Sequence, residues 1–264
     1  RRFNFMYYQL AQQEFESYLN GYDHENDRIK LKIIHTYGVV KQAEELAERM
    51  HLSTEDTDLA RLIALLHDIG RFEQLKRYDS FEPGTMDHAA YGVKVLFDEG
   101  MIRRFLPDDK WDSIIYTAIA HHSDYELPEI SDSQTLLHAK LIRDEDKLDN
   151  CRVKLVDSTS TFINVSEEEL GTQNITQKVY ETVFKNKCIL SADRVTQMDY
   201  WVSYIVYFFD INFKESFDII AENDYLNRII DRIPYSNPVT KEQMENIRVY
   251  MQNFINSHTN SQSF

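Results

Sequence analysis

Apolar residues recur along this chain at helical spacing, and strand-like alternation is scarce. Val39, Ala43, Leu46, Ala47 and Met50 share one face of a helix. Leu59, Leu62, Ile63 and Leu66 repeat the pattern over 55–69, with Ser53 or Thr54 placed to cap its start and Gly70 to end it. Trp111, Ile114, Ile115, Ala118 and Ile119 form a third apolar face behind Pro107 and Asp108. Further helical patterns run over 5–19, 87–99, 134–149, 176–187, 194–209, 213–221 and 239–256. Loops are expected at 21–26, 72–85, 123–133 and around 157–175, with a polar tail over 257–264. No internal repeat, low-complexity block or flexible linker divides the chain, so the pattern predicts a single all-α domain.

Composition narrows what such a domain does. The chain has 264 residues, 29 Lys+Arg and 44 Asp+Glu, a formal net charge of −15. That field repels nucleic-acid polymers and anionic membranes, and an anionic substrate would need positive charge supplied locally. The apolar run Tyr200 to Phe209 is too short to span a bilayer. Cys151 and Cys188 offer no disulfide framework, and a reducing, cytoplasmic setting is expected. No signal-peptide pattern opens the chain, and its first residue, Arg1, suggests a natural start further upstream.

The histidines change the picture most. His35 lies one turn before Val39 on the first periodic face. His67 and Asp68 close the apolar run that begins at Leu62, His88 opens the 87–99 pattern, and His121 and His122 end the Trp111 helix. Asp146 follows Ile142 on one face of its helix. A single histidine on an apolar face is ordinarily a hydrogen-bonded core residue. Several buried imidazoles and carboxylates together need partners, because each costs about 1–3 kcal/mol if left unpaired. A metal ion satisfies both kinds of ligand at once.

The order His35, His67-Asp68 within His-Asp-Ile-Gly-Arg, His88, His121-His122, and Asp146 within Glu-Asp-Lys-Leu-Asp resembles the HD-domain superfamily of metal-dependent phosphohydrolases, in its binuclear branch. The resemblance covers about residues 28–150, leaving 151–256 as additional C-terminal helices of the same domain. It implies one metal held by His35, His67, Asp68 and Asp146, and a second held by His88, His121 and His122, with Asp68 bridging. It further implies hydrolysis of a small anionic phosphomonoester or phosphodiester, a metabolite or nucleotide, by a hydroxide shared between the two ions. A histidine-rich site without thiolate suits Fe or Mn, with Ni, Co or Zn as alternatives. After His122 the chain reads Ser-Asp-Tyr-Glu-Leu-Pro and lacks the Gly-Tyr-Pro signature of the cyclic-dinucleotide phosphodiesterases. The rival readings are a di-iron oxygenase of the same superfamily and a regulatory domain that binds a nucleotide without turnover.

Two cations adjoin the ligand set. Arg71 is a candidate phosphate clamp or a cation at a helix C-terminus, and Lys147 is a second clamp candidate or a solvated side chain. Asp144, Asp149 and Glu73 are candidates for orienting ligand imidazoles. His138 reads as structural, and Cys151 and Cys188 as small hydrophobes. The aromatic run 200–209 reads as core, with a pocket wall or a homodimer contact as alternatives.

Overall fold

The computed structural model describes residues 2–259, with side chains from Tyr7 onward, and no strand occurs among them. The chain divides into two compact units, residues 1–149 and 150–264.

The first unit begins with α1 (Arg2–Leu19), α2 (Asp27–Arg49), α3 (Thr54–Leu66) and α4 (Ile69–Tyr78), followed by α5 (His88–Val93), which runs into a π-helical turn over Lys94–Asp98. After α6 (Ile102–Phe105) and α7 (Asp112–Ala120) comes α8 (Ser133–Val156), whose residues to Asp149 belong to this unit. Polar caps start these helices as the pattern requires. Asn26 accepts from the amides of Arg28 and Ile29, Ser53 from Asp56 and Asp87 from Ala90. The apolar faces read from the sequence meet in one core, in which Val39, Leu46, Leu59, Ile63, Leu66, Ile115 and Ile119 are essentially inaccessible. Each such side chain contributes about 1.5–3 kcal/mol of burial free energy.

The helix expected over 55–69 and the loop expected over 72–85 both need correction. α3 stops at Leu66, His67 and Asp68 form the joint, and α4 continues through Tyr78, so the loop is confined to 79–87. Gly70 therefore does not terminate a helix. It lies inside α4, where a Cβ would stand 2.0 Å from the carbonyl oxygen of His88. The glycine serves close approach of two backbones, a tertiary need that no local pattern encodes. Arg71 consequently sits in the first turn of α4 and not at a helix C-terminus.

The second unit takes the end of α8 and adds α9 (Thr159–Ile163), α10 (Glu167–Thr172), α11 (Gln177–Val183), α12 (Gln197–Val206), α13 (Lys214–Glu222), α14 (Tyr225–Asp231) and α15 (Pro238–Thr259). The segment expected as a loop around 157–175 contains α9 and α10, two helices too short to show a full period. Within the run 200–209, Trp201 and Phe208 are buried in this unit, and the Trp201 indole N–H donates to the Ile229 carbonyl at 3.2 Å. The polar tail begins later than expected. α15 continues to Thr259 because His258 stacks on Phe217 with ring centroids 4.4 Å apart, while residues 260–264 lie outside the described residues.

Candidate metal centre

α2, the α3–α4 joint, α5, α7 and α8 each deliver one or two polar side chains to a single buried place in the first unit. His35 sits on α2 with no exposed surface. Its Nδ1 donates to Asp149 Oδ2 at 2.8 Å, and its Nε2 lies 2.9 Å from Asp146 Oδ1. Asp149 reaches His35 because residue 38, one turn further along α2, is glycine; a Cβ there would fall 2.0 Å from Asp149 Oδ1. His67, at the end of α3, donates from Nδ1 to the Ala64 carbonyl at 2.6 Å. His122, just past the end of α7, donates from Nδ1 to the Ile119 carbonyl at 2.7 Å. A carbonyl or carboxylate only accepts, so all three imidazoles carry a proton on Nδ1 and turn Nε2 inward.

Asp68 stands between two sets of donors. Its Oδ2 is 3.5 Å from His35 Nε2 and 3.3 Å from His67 Nε2; its Oδ1 is 3.3 Å from both His88 Nε2 and His122 Nε2. Two groups result, His35–His67–Asp68–Asp146 and Asp68–His88–His122, each with ligand atoms within 4.8 Å of one another. Ligands about 2 Å from a shared cation stand roughly 3–4 Å apart, as most of these atoms do. The fit is strengthened by His67 Nε2, which is buried, faces both Asp68 and Asp146, and has no hydrogen-bond partner. An imidazole nitrogen left open among carboxylates is what a divalent cation completes.

The electrostatics are those of a strongly coupled buried cluster. Burial alone would raise the pKa of Asp68, but His67 and Lys32 outweigh it and hold the carboxyl well below its ordinary value. Burial would likewise lower His67, yet Asp68 and Asp146 push it up to about 10. His88 goes the other way, down to about 3, through burial and the nearby Arg71 guanidinium.

Six of the seven expected ligands thus converge, and His121 does not join either group. Its side chain is one-third exposed, and its Nδ1 pairs with Asp124 Oδ2 at 2.6 Å. Past the end of α7 the helical period no longer sets side-chain direction, so two adjacent histidines point different ways. Among the expected cations, Arg71 donates from Nη1 to Gln74 Oε1 and the Phe81 carbonyl, and its buried Nε stands 4.0 Å from Asp68 Oδ1 with no hydrogen-bond partner. Lys147 lies outside both groups, with Nζ 3.4 Å from the Arg143 carbonyl. Asp149 orients His35, whereas Glu73 instead pairs with Tyr22 and Arg77. His138 is held by Asp56 at 2.8 Å, apart from the cluster.

Sequence reasoning passed over three residues. Lys32 is buried one turn before His35, with Nζ 2.9 Å from Asp68 Oδ2; its i−3 spacing from His35 is the signal that was available. Arg143 stands in the same relation to Asp146 on α8 and is equally buried. Glu145 is buried with neither carboxyl oxygen hydrogen-bonded, and burial raises its pKa well above the ordinary value. No pattern distinguishes it from a surface acid.

Within this all-helical unit the paired His/Asp donor groups could hold metal ions. The comparison with known families agrees: residues 33–151 match the HD domain. HD domains are mostly metal-dependent hydrolases. No curated protein and no solved structure matches the chain.

Proposed function

We propose that the chain is a metal-dependent phosphohydrolase acting on a small phosphorylated metabolite or nucleotide. The observation that carries this reading is the position of Asp68, with one carboxylate oxygen toward each donor group and a cation beside each oxygen, Lys32 at 2.9 Å and Arg71 at 4.0 Å. His35, His67, Asp68 and Asp146 would hold one divalent ion and Asp68, His88 and His122 another, with Fe or Mn suited to this donor set. Bound there, such ions supply Lewis acidity and water activation near neutral pH.

The chain's own residues do the rest. Asp149, Ala64 and Ile119 hold Nδ1 of three imidazoles, so the rings already face inward through Nε2. Once the Asp68 oxygens are engaged by cations, Lys32 and Arg71 become available to an anionic phosphoryl group, Arg71 by its planar fork and Lys32 as a point charge. Gln74 pins the loop beside them, donating to the Glu82 carbonyl and to Thr85 Oγ1. Phe81 in that loop packs against both cations, 5.4 Å from Lys32 and 5.8 Å from Arg71, which limits water around them.

The test is release of phosphate or nucleoside from a panel of phosphoesters with Mn²⁺ or Fe²⁺ added. Asp68→Ala should abolish turnover. Oxygen consumption by the iron-loaded, reduced protein with no phosphoester cleaved would replace this reading by an oxygenase.

A further inference from the structure

Arg143 is 2% exposed and carries a full charge, so its guanidinium must be answered inside the first unit. Backbone carbonyls supply part of the answer. Arg143 Nη1 donates to the carbonyls of His121 at 2.9 Å and Asp124 at 2.7 Å, and that of His122 lies at 3.5 Å. Nη2 stands 3.5 Å from the Tyr125 carbonyl. All four belong to the turn that follows α7. The turn's own backbone hydrogen bonds are longer than the two short contacts from Nη1: 3.2 Å from the His121 amide to Thr117, 3.3 Å from His122 to Ile119, and 3.3 Å from Asp124 to His121. A cation at a helix C-terminus also meets a favourable dipole.

This turn carries His122, and Arg143 lies one helical turn before Asp146 on α8. One stretch of α8 therefore places a ligand in the first donor group and clamps the backbone that presents a ligand to the second. We infer that Arg143 is the positioning residue that fixes His122 against Asp68 and His88, so that the second cation is bound only while this clamp is closed. The inference rests on the reading of the two groups as metal sites.

The test is titration of the full-length chain with Mn²⁺ by calorimetry, with electron paramagnetic resonance separating a coupled Mn pair from an isolated ion. Wild type, Arg143→Gln and Arg143→Lys are compared, with thermal melting as a check on folding. Wild type should bind two ions and show the coupled signal. Arg143→Gln should keep one ion within about twofold of its original affinity and lose roughly 10–100-fold at the other, the range found for outer residues that orient ligands, with an isolated-Mn signal. Arg143→Lys should fall between, since one ammonium covers fewer carbonyls than a guanidinium fork, and it carries the test if the glutamine variant does not fold. Unchanged binding of both ions, or a parallel weakening of both alongside a lower melting temperature, overturns the inference. A wild-type chain that binds no Mn²⁺ overturns the metal-site reading and the inference with it.

Discussion

Asp68 in residues 1–149 and Asp199 in residues 150–264 are both almost wholly buried, and their surroundings are of different kinds. Asp199 accepts from the Thr176 amide and hydroxyl at 2.8 and 2.5 Å, and from the amides of Val195 and Thr196 at 2.9 and 3.0 Å. It closes the capping box of α12 with Thr196, and every contact is to a donor that would otherwise be an orphan. Asp68 is surrounded by imidazole nitrogens that are themselves candidate ligands, beside His67 Nε2 and Arg71 Nε, neither of which has a hydrogen-bond partner. Among the described residues of the second unit, the one comparable orphan is Arg194 Nε, on a guanidinium that stacks over Tyr200. The Asp199 carboxylate is saturated by hydrogen bonds, while the neighbourhood of Asp68 keeps unpartnered polar atoms of the kind an added ligand would complete.

The largest expected effect comes from removing the shared carboxylate. Asp68→Asn should weaken both ions by more than the roughly 10–100-fold seen for outer-shell residues, because a direct ligand to each is lost. Metal analysis after dialysis against Mn²⁺ reads this, and retention of both ions would break the comparison.

Asp199→Ala should act in the opposite channel. It strands the Thr176, Val195 and Thr196 amides and should cost about 3 kcal/mol in urea denaturation, with Mn²⁺ affinity unchanged. A smaller change is expected at Glu145. Replacing an unpartnered buried carboxyl by an apolar group of similar size, Glu145→Met, should stabilise the fold by about 1 kcal/mol, measured by thermal melting. Destabilisation there would show that the carboxyl is already satisfied.

The smallest effect is a pH dependence away from the cluster. Burial lowers the pKa of His138 below its ordinary 6.5, against the raising effect of Asp56. The unfolded chain then binds the proton first, so this histidine's contribution is complete above pH 6.5 and declines as pH falls below it. The slope is at most about 1.4 kcal/mol per pH unit. Comparing wild type with His138→Gln by urea denaturation between about pH 5 and pH 8 should show a flatter profile for the variant below 6.5.

Much of the first unit was legible because helical periodicity is a local property. The faces at 39–50, 55–66 and 111–119 are the faces that pack, and His35, His67, Asp68 and Asp146 sit where those faces lead. The failures share one cause. Gly70 looked like a terminator because its real partner, the His88 backbone, is 18 positions away in sequence and in contact only after folding. His121 was indistinguishable from His122 because both lie past the last periodic residue. Lys32 and Arg143 occupy faces whose burial the pattern could suggest, but the carboxylate and the carbonyls they serve come from other segments.

The order and types of the ligand residues, the helical class and the acidic surface follow from the amino acids themselves, since composition and spacing act over a turn or two of chain. Which oxygen of Asp68 faces which imidazoles, which of two neighbouring histidines enters the cluster, and which cations stand guard beside it were decided by tertiary structure. Those choices depend on how helix ends are held by distant backbone, and only packing brings that backbone within hydrogen-bond reach.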